Sequence, residues 1–440
     1  MTSFYREVLI IIIAGIVILI LGFLLAAVAR RILNARKYAA LDAYRENYRR
    51  KIPAELALGK ASELARDLAS PPLSLHWRAI EDVLFEQLAA GTYGSEIRQL
   101  FLLLGYRDHY ESRLKSRRTI TKASAVDKLG KMRSVSSTAS LVKILNTEKE
   151  PEILTVTFRA LCRIGTLEAL KGLLDRLPRL YAKSLVSHKT VDASLINFSE
   201  EAVPLLVTYG ERSDPKTKAT LLAVLSRLPA TAASLALAAA SLNAPDPEVR
   251  ARAIRVFGRH EASAGASRPD LILPLLQDPV WFVRLQAARA LESLKYQKAV
   301  DELGALLLDP NWQVRNAAAR ALANIGNASL DVFLNILQDR DRYAKESICE
   351  EAERTYFNQW LIANLASGDT RIFEKSRGIL MLMHGLNFST PLREYLKKGE
   401  NDAIKREITL LMEETSTPAG ALGTRGTTGG PRVQGDGRKA

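Results

Sequence analysis

One short pattern recurs along the second half of the chain. Its clearest copies read Asp278-Pro279-Val280-Trp281-Phe282-Val283-Arg284 and Asp309-Pro310-Asn311-Trp312-Gln313-Val314-Arg315. Opening acids follow one another after 32, 32, 31, 30, 30 and 33 residues, at Asp214, Asp246, Asp278, Asp309, Asp339, Asp369 and Asp402. A fixed period of this size is typical of a stack of supersecondary units, none of which buries its apolar face alone.

Each copy of the pattern predicts two helices. Asp-Pro places an N-cap acceptor directly before a residue whose missing N–H is not needed in the first helical turn. In the copy that contains Trp312, a break at Gly326 and Asn327 separates two apolar faces with helical spacing. Their residues are Val314, Ala318, Ala321, Leu322 and Ile325, followed by Leu330, Phe333, Leu334 and Leu337. We therefore expect an all-α fold of stacked helical hairpins.

The repeat resembles the HEAT family, and within it the short HEAT-like type first named after phycobilisome lyases. The resemblance rests on Asp-Pro, on the Val-Arg pair and on two runs, Ala287-Ala288-Arg289-Ala290-Leu291 and Ala318-Ala319-Arg320-Ala321-Leu322. It is sharp over residues 246–338 and looser over 214–245 and 339–414. Residues 158–165 echo 319–326, so the array is expected over residues 122–414. The resemblance implies a right-handed α-solenoid that binds other proteins through its concave face.

Acids and cations of neighbouring copies should meet along one edge of the stack. The residues expected to form this ladder are Asp246, Asp278, Asp309, Arg284 and Arg315. Later copies lack the proline but keep a cation near the same place, at Lys345, Lys375 and Arg406. Two interpretations are open: a structural ladder of Arg–Asp pairs between repeats, or a stripe that binds anions.

Aromatic residues occupy related positions in four successive copies. Trp281 and Trp312 each stand three residues after the opening acid, whereas Tyr343 and Phe373 come one residue later. These rings either pack across the helix starts or form exposed contacts for a partner protein. They are the candidate partner-binding residues of the chain.

The N-terminus predicts a single transmembrane helix. Residues 8–29 carry no charge over 22 positions, a length that crosses the hydrocarbon core of a bilayer, and residues 1–7 precede them outside the cytoplasm. Basic residues follow, led by Arg30, Arg31, Arg36 and Lys37, so the long C-terminal part is expected in the cytoplasm, at a plasma or inner membrane. A cleaved signal peptide is the alternative, but the apolar stretch is too long and the charges lie on the wrong side.

The remaining segments follow from charge and composition. Residues 30–53 predict a basic helical stalk that ends at Lys51-Ile52-Pro53, residues 54–121 a helical cap for the array, and residues 415–440 a flexible Gly-rich tail. The net charge is +14; Lys and Arg exceed Asp and Glu by six in residues 30–60 and by three in residues 415–440. Because nine of the fourteen excess charges lie beside the predicted span or in the tail, we expect contact with anionic lipid headgroups and consider nucleic acid an unlikely partner.

No arrangement of residues indicates catalysis. The five histidines are scattered, no metal-ligand spacing or phosphate loop occurs, and Cys162 and Cys349 have no adjacent base. We therefore expect a scaffold that recruits a protein partner, with no enzymatic activity, no metal and no cofactor. Two rival functions remain: a lyase or isomerase acting on a bilin, which only the named subfamily suggests, and nucleic-acid binding by the helical surface.

Overall fold

Helices form the regular structure of the chain. The computed structural model describes residues 2–259 and 268–416, although the side chains of residues 2–14, 17, 18, 188, 189 and 416 lie outside this description. Within these limits 80% of the chain is helical and no strand occurs, so the all-α prediction is confirmed. The predicted tail, residues 415–440, lies outside the described residues except for 415 and 416, which belong to the last helix.

Two units divide the chain at Thr220, and the first runs from Met1 to Thr220. Its helices are α1 (Thr2–Ala57), α2 (Ala61–Asp67), α3 (Leu75–Ala90), α4 (Gly94–Leu103), α5 (Tyr106–Arg113), α6 (Thr119–Lys131), α7 (Thr138–Thr147), α8 (Pro151–Ile164), α9 (Leu167–Ala182), α10 (His188–Leu195), α11 (Val203–Arg212) and the beginning of α12 (Pro215–Leu225).

The second unit, Leu221–Ala440, contains the clearest repeats. Its further helices are α13 (Ala232–Ser241), α14 (Pro247–Arg259), α15 (Trp281–Ser293), α16 (Val300–Ala305), α17 (Trp312–Ile325), α18 (Leu330–Gln338), α19 (Arg342–Arg354), α20 (Phe357–Ala363), α21 (Thr370–Gly385), α22 (Thr390–Lys398) and α23 (Asp402–Ser416). After α14, two short 3-10 helices, Pro269–Leu271 and Leu273–Gln277, occupy the position of the second helix in the hairpin.

Helix α1 is longer than the sequence predicts. Pro53 lies inside it, and the helix ends at Ala57 instead of breaking at residues 51–53. Proline removes one hydrogen bond of the helix interior, but Ile52 is fully buried and Leu56 nearly so, and this packing holds the last turns in place. The predicted stalk is therefore bound into the first unit along its C-terminal part.

Ion pairs join this part of α1 to α3. Arg45 binds Asp82, and Arg49 donates from Nε to both carboxylate oxygens of Glu86 over 3.0 Å. Arg45 also donates to Asp42 on its own helix over 2.8 Å. These two basic residues of the stalk thus have protein carboxylates as partners.

An aromatic cluster forms the core of the residues predicted to cap the array. The hydroxyl of Tyr106 donates to the Trp77 carbonyl, and that of Tyr110 donates to Glu81, each over 2.6 Å. Burial raises the pKa of both tyrosines, which keeps these hydroxyls protonated as donors. Lys128 of α6 lies 3.2 Å from the buried Glu81 carboxylate, so α3 is tied directly to the next helical layer.

Small residues allow the first helices of successive copies to pack closely in the second unit. Helix α14 packs on α15, α15 on α17, and α17 on α19. A Cβ atom at Gly258 would stand only 2.8 Å from Ala290, and Ala287 and Ala318 are fully buried. The order changes after α19, because α21 packs on α18. The alanine-rich runs of the sequence are therefore contact surfaces between repeats.

The predicted membrane span falls within α1. Among the described residues, no helix has the length and apolarity that crossing a membrane requires. Residues 8–29 belong to α1, but the side chains of 8–14, 17 and 18 lie outside the described set. The span stays a prediction.

Candidate protein-binding edge

Two arginines of the second unit each bridge successive copies of the repeat. Nε and Nη2 of Arg284 donate to the two carboxylate oxygens of Asp309 over 2.7 and 3.0 Å, and Nη1 donates to the carbonyls of Asp278 and Pro279 over 2.8 and 3.2 Å. Arg250 binds Asp278 in the same way, over 2.7 and 2.9 Å. In both pairs only 13% of the arginine side chain and 4% of the aspartate side chain is exposed. We call these two contacts the closed rungs.

Each closed rung also organises the turn that precedes a helix. Oδ1 of Asp278 accepts from the backbone N–H of Val280 over 2.9 Å, and Oδ1 of Asp309 accepts from Asn311 over 2.8 Å. The hydrogen bond with Asp278 raises the pKa of Arg250, against the opposing effect of burial. The carboxylates therefore serve two neighbouring copies at once.

The prediction that Asp246 is equivalent to these acids is wrong. Nη1 of Arg250 donates to the carbonyls of Ala244 and Pro245, so Ala244 occupies the position of Asp278. Asp246 instead caps α14, accepting from the N–H groups of Glu248 and Val249 over 2.8 and 3.4 Å. Two prolines, at 245 and 247, make both alignments plausible in the sequence, and only the arginine contacts decide between them.

The third copy has an arginine without its acid. Nη1 of Arg315 donates to the carbonyls of Asp309 and Pro310 over 2.8 and 3.3 Å, as in the closed rungs. Among the described residues, however, Arg315 has no carboxylate within ion-pair distance, and its buried Nε has no hydrogen-bond partner. Its guanidinium lies 5.5 Å from the centre of the Tyr343 ring. We call this position the open rung.

The later copies do not continue the ladder as predicted. Lys375 pairs with Asp331 over 2.6 Å, because α21 packs on α18, and Nε of Arg406 donates to the Asp402 carbonyl over 3.3 Å. Lys345 lies on α19 and has no ion pair with any described residue. The ladder therefore ends at the open rung.

Three of the four predicted rings lie exposed at the starts of successive first helices. Trp281 begins α15 and is 40% exposed, Trp312 begins α17 and is 60% exposed, and Tyr343 is the second residue of α19 and is 65% exposed. Phe373 is half-buried inside α21, one turn further along, because Asp369 is itself the N-cap of that helix. Trp281, Trp312 and Tyr343 form what we call the aromatic edge.

Comparison with known proteins identifies the architecture. Residues 234–308 and 268–352 match the family described as HEAT repeats. The matched residues are similar to HEAT repeats. This confirms the resemblance for residues 234–352, the part that holds the closed rungs, the open rung and the aromatic edge.

Several solved structures are similar to this chain at low sequence identity. An engineered protein is 16% identical, with 81% of this chain and 99% of that chain covered and a TM-score of 0.35. Kap121p bound to Pho4p is 15% identical, with 84% and 51% covered and a TM-score of 0.42. Kap121p bound to RanGTP is 16% identical, with 81% and 49% covered and a TM-score of 0.42. The chain thus spans about half the length of the Kap121p chains. No curated protein matches it.

The sequence does not predict a groove that lies at the C-terminal end of α17, the end opposite to Trp312. It encloses about 450 Å³ and is lined by Ile325, Gly326 and a group of rings on and before α20. Tyr356 is 83% exposed, whereas Phe357 is buried and stacks on Trp360 with a centroid distance of 5.3 Å. The spacing of these rings within one helical turn is the only signal that the sequence offers for this groove.

The two cysteines have little nucleophilic character. Both cysteines are buried and free of disulfides. Burial raises the pKa of Cys349 to about 12 and also raises that of Cys162, so little thiolate forms at neutral pH. Within residues 2–259 and 268–416, no cluster of histidine, cysteine and acidic side chains has the arrangement of a metal site.

The predicted lipid-binding residues lie on α1. Arg30, Arg31, Arg36 and Lys37 are exposed, and Leu41 is the first residue of the helix with a described side chain that is buried. The aromatic rings and the arginines of the rungs belong to the second unit, and these four cations belong to the first unit.

We predict that the closed rungs stabilise the HEAT repeats and that the equivalent unpaired acid does not. Asp278→Ala leaves the partly buried Arg250 guanidinium without its carboxylate and should lower the free energy of unfolding by about 3 kcal/mol. Asp339→Ala, the same change where no arginine binds, should lower it by less than about 1 kcal/mol. Denaturant unfolding of the full chain checks both values, and equal losses would contradict the role given to the rungs.

Proposed function

We propose that the chain is a scaffold that holds a partner protein on the aromatic edge. The observation that carries this proposal is the exposure of Trp281, Trp312 and Tyr343 at the starts of successive helices. Large rings left in solvent next to an arginine have the composition of the residues that dominate binding energy at protein interfaces. HEAT repeats provide a fixed frame for such a surface.

Rigidity of the frame supports the same proposal. The closed rungs fix the starts of α15 and α17, because each carboxylate binds both an arginine of the previous copy and the N–H of its own turn. Rings that begin these helices are therefore held at set positions before a partner arrives. Preorganisation of this kind reduces the entropy lost on binding.

We further propose that α1 anchors the scaffold in a membrane. Leu19, Phe23 and Leu25 are exposed by 74%, 77% and 71%, and uncovered apolar surface of this extent is typical of membrane or protein contacts. The exposed cations from Arg30 to Lys37 would face anionic headgroups on the cytoplasmic side. Anchoring would raise the effective concentration of the scaffold near a membrane-bound partner.

The aromatic edge can be tested by affinity capture from membranes. We expect that the double variant Trp281→Ala and Trp312→Ala loses one specific protein, with affinity at least about tenfold weaker, because each ring acts as an interface anchor. Tyr356→Ala is the matched control, since this ring is exposed but lies at the groove. An unchanged set of co-purifying proteins in the double variant would contradict the proposal, and loss with Tyr356→Ala alone would assign binding to the groove.

The anchor can be tested by membrane fractionation. The double variant Ile16→Arg and Ile20→Arg should move the chain from the membrane to the soluble fraction, because each charge near the centre of a bilayer costs about 2.5 to 3.5 kcal/mol. The control variant Ile32→Arg and Leu33→Arg adds the same charge outside residues 8–29 and should leave the chain in the membrane. Recovery of the unaltered chain in the soluble fraction would rule out the anchor.

A further inference from the structure

The open rung differs from the closed rungs in one respect. All three arginines, Arg250, Arg284 and Arg315, are held through Nη1 by the two carbonyls that open their own copy. The first two also bind a carboxylate with Nε and Nη2. Within the described residues, Arg315 has none, and its Nε is buried without a partner. The third copy thus keeps the donor and lacks the acceptor.

The acid that occupies the equivalent sequence position does not fill this place. Asp339 is exposed, whereas Asp278 and Asp309 are buried. Its Oδ1 accepts from the N–H groups of Arg340 and Asp341 over 2.6 and 3.0 Å. Arg340 stands where both closed rungs have a proline, so an N–H is available there that the closed rungs lack. Asp339 binds its own turn and leaves Arg315 unpaired.

The unpaired guanidinium is already oriented for a carboxylate. Its two bonds through Nη1 place the planar group as in the closed rungs, where the same geometry receives an aspartate through two parallel hydrogen bonds. A partly buried arginine whose Nε has no acceptor and whose charge has no carboxylate is unfavourable, so a carboxylate supplied from outside would gain binding energy. The guanidinium lies 5.5 Å from the centre of the Tyr343 ring, and this ring is 65% exposed, so the open rung lies beside a solvent-facing side chain.

We propose that the open rung binds the side-chain carboxylate of an aspartate or glutamate in the partner protein. The inference rests on the proposed function and gives the partner its chemistry: an acidic residue at Arg315, next to apolar groups that pack on Trp312 and Tyr343. The closed rungs show that Nε and Nη2 of an arginine held in this way accommodate a carboxylate. Asp339 and Asp341 lie directly before α19 and Glu346 lies on it, and α19 packs on the helix of Arg315, so a nucleic-acid backbone with many phosphates would be repelled.

Binding of two matched peptides to the full chain tests this inference. The probes are a fluorescein-labelled peptide that carries a single Glu between Leu residues, called the Glu peptide, and the same peptide with Gln in place of that Glu, measured by anisotropy at physiological salt. We expect the Glu peptide to bind at least about tenfold more tightly than the Gln peptide, and Arg315→Gln to remove this difference, because a paired guanidinium contributes about one order of magnitude.

Two further variants separate a specific site from a basic surface. Arg289→Gln removes the same charge from an exposed position on α15 and should change affinity for the Glu peptide by no more than about twofold. Arg340→Pro restores the Asp-Pro sequence of the closed rungs and should weaken binding of the Glu peptide while Arg315 is retained. The reason is that Asp339 then competes with the peptide for Nε and Nη2 of Arg315.

Three results would overturn the inference: no binding of the Glu peptide, equal binding of both peptides, or equal losses with Arg315→Gln and Arg289→Gln. The proposed function fails separately, by retention of all partners in the variant that lacks Trp281 and Trp312. Loss of a partner in that variant, together with equal binding of the two peptides, would therefore support the proposed scaffold function and contradict the carboxylate contact at Arg315.

Discussion

A guanidinium bound at once to its own repeat and to the next is the contact on which the arrangement of the second unit depends. Arg284 joins the carbonyls that open one copy to the Asp309 carboxylate that opens the following copy. Because both partners are largely buried, opening this contact strands a charge away from water. Close packing of buried alanines brings the helices together. The arginine–aspartate contact determines where each helix starts.

Much of the architecture follows from the sequence. The period of the opening acids, the Asp-Pro starts and the alanine-rich runs predict stacked hairpins, and residues 234–352 match the HEAT repeat family. Other features depend on tertiary contacts that no local pattern reveals. Helix α1 continues through Pro53 because Ile52 is buried, and α21 packs on α18 instead of continuing the series of first helices. The register of Asp246 is ambiguous until the contacts of Arg250 are known.

The candidate site is also predictable only in part, because exposure and pairing depend on tertiary contacts. Sequence position correctly groups Trp281 with Trp312, since both begin a first helix, but exposure depends on what the neighbouring copies cover. Phe373 appears equivalent in the sequence and is not, because the acid before it is an N-cap. The unpaired state of Arg315 could not be foreseen either, because Asp339 is present in the sequence and turns to its own backbone.

The central claim, that two rungs are closed and the third is open, is tested most directly by two double-mutant cycles on unfolding of the full chain. One cycle combines Arg284→Ala with Asp309→Ala, and the other combines Arg315→Ala with Asp339→Ala. We predict a coupling energy of at least about 1.5 kcal/mol in the first cycle and less than about 0.5 kcal/mol in the second. Equal coupling energies in the two cycles would contradict the account.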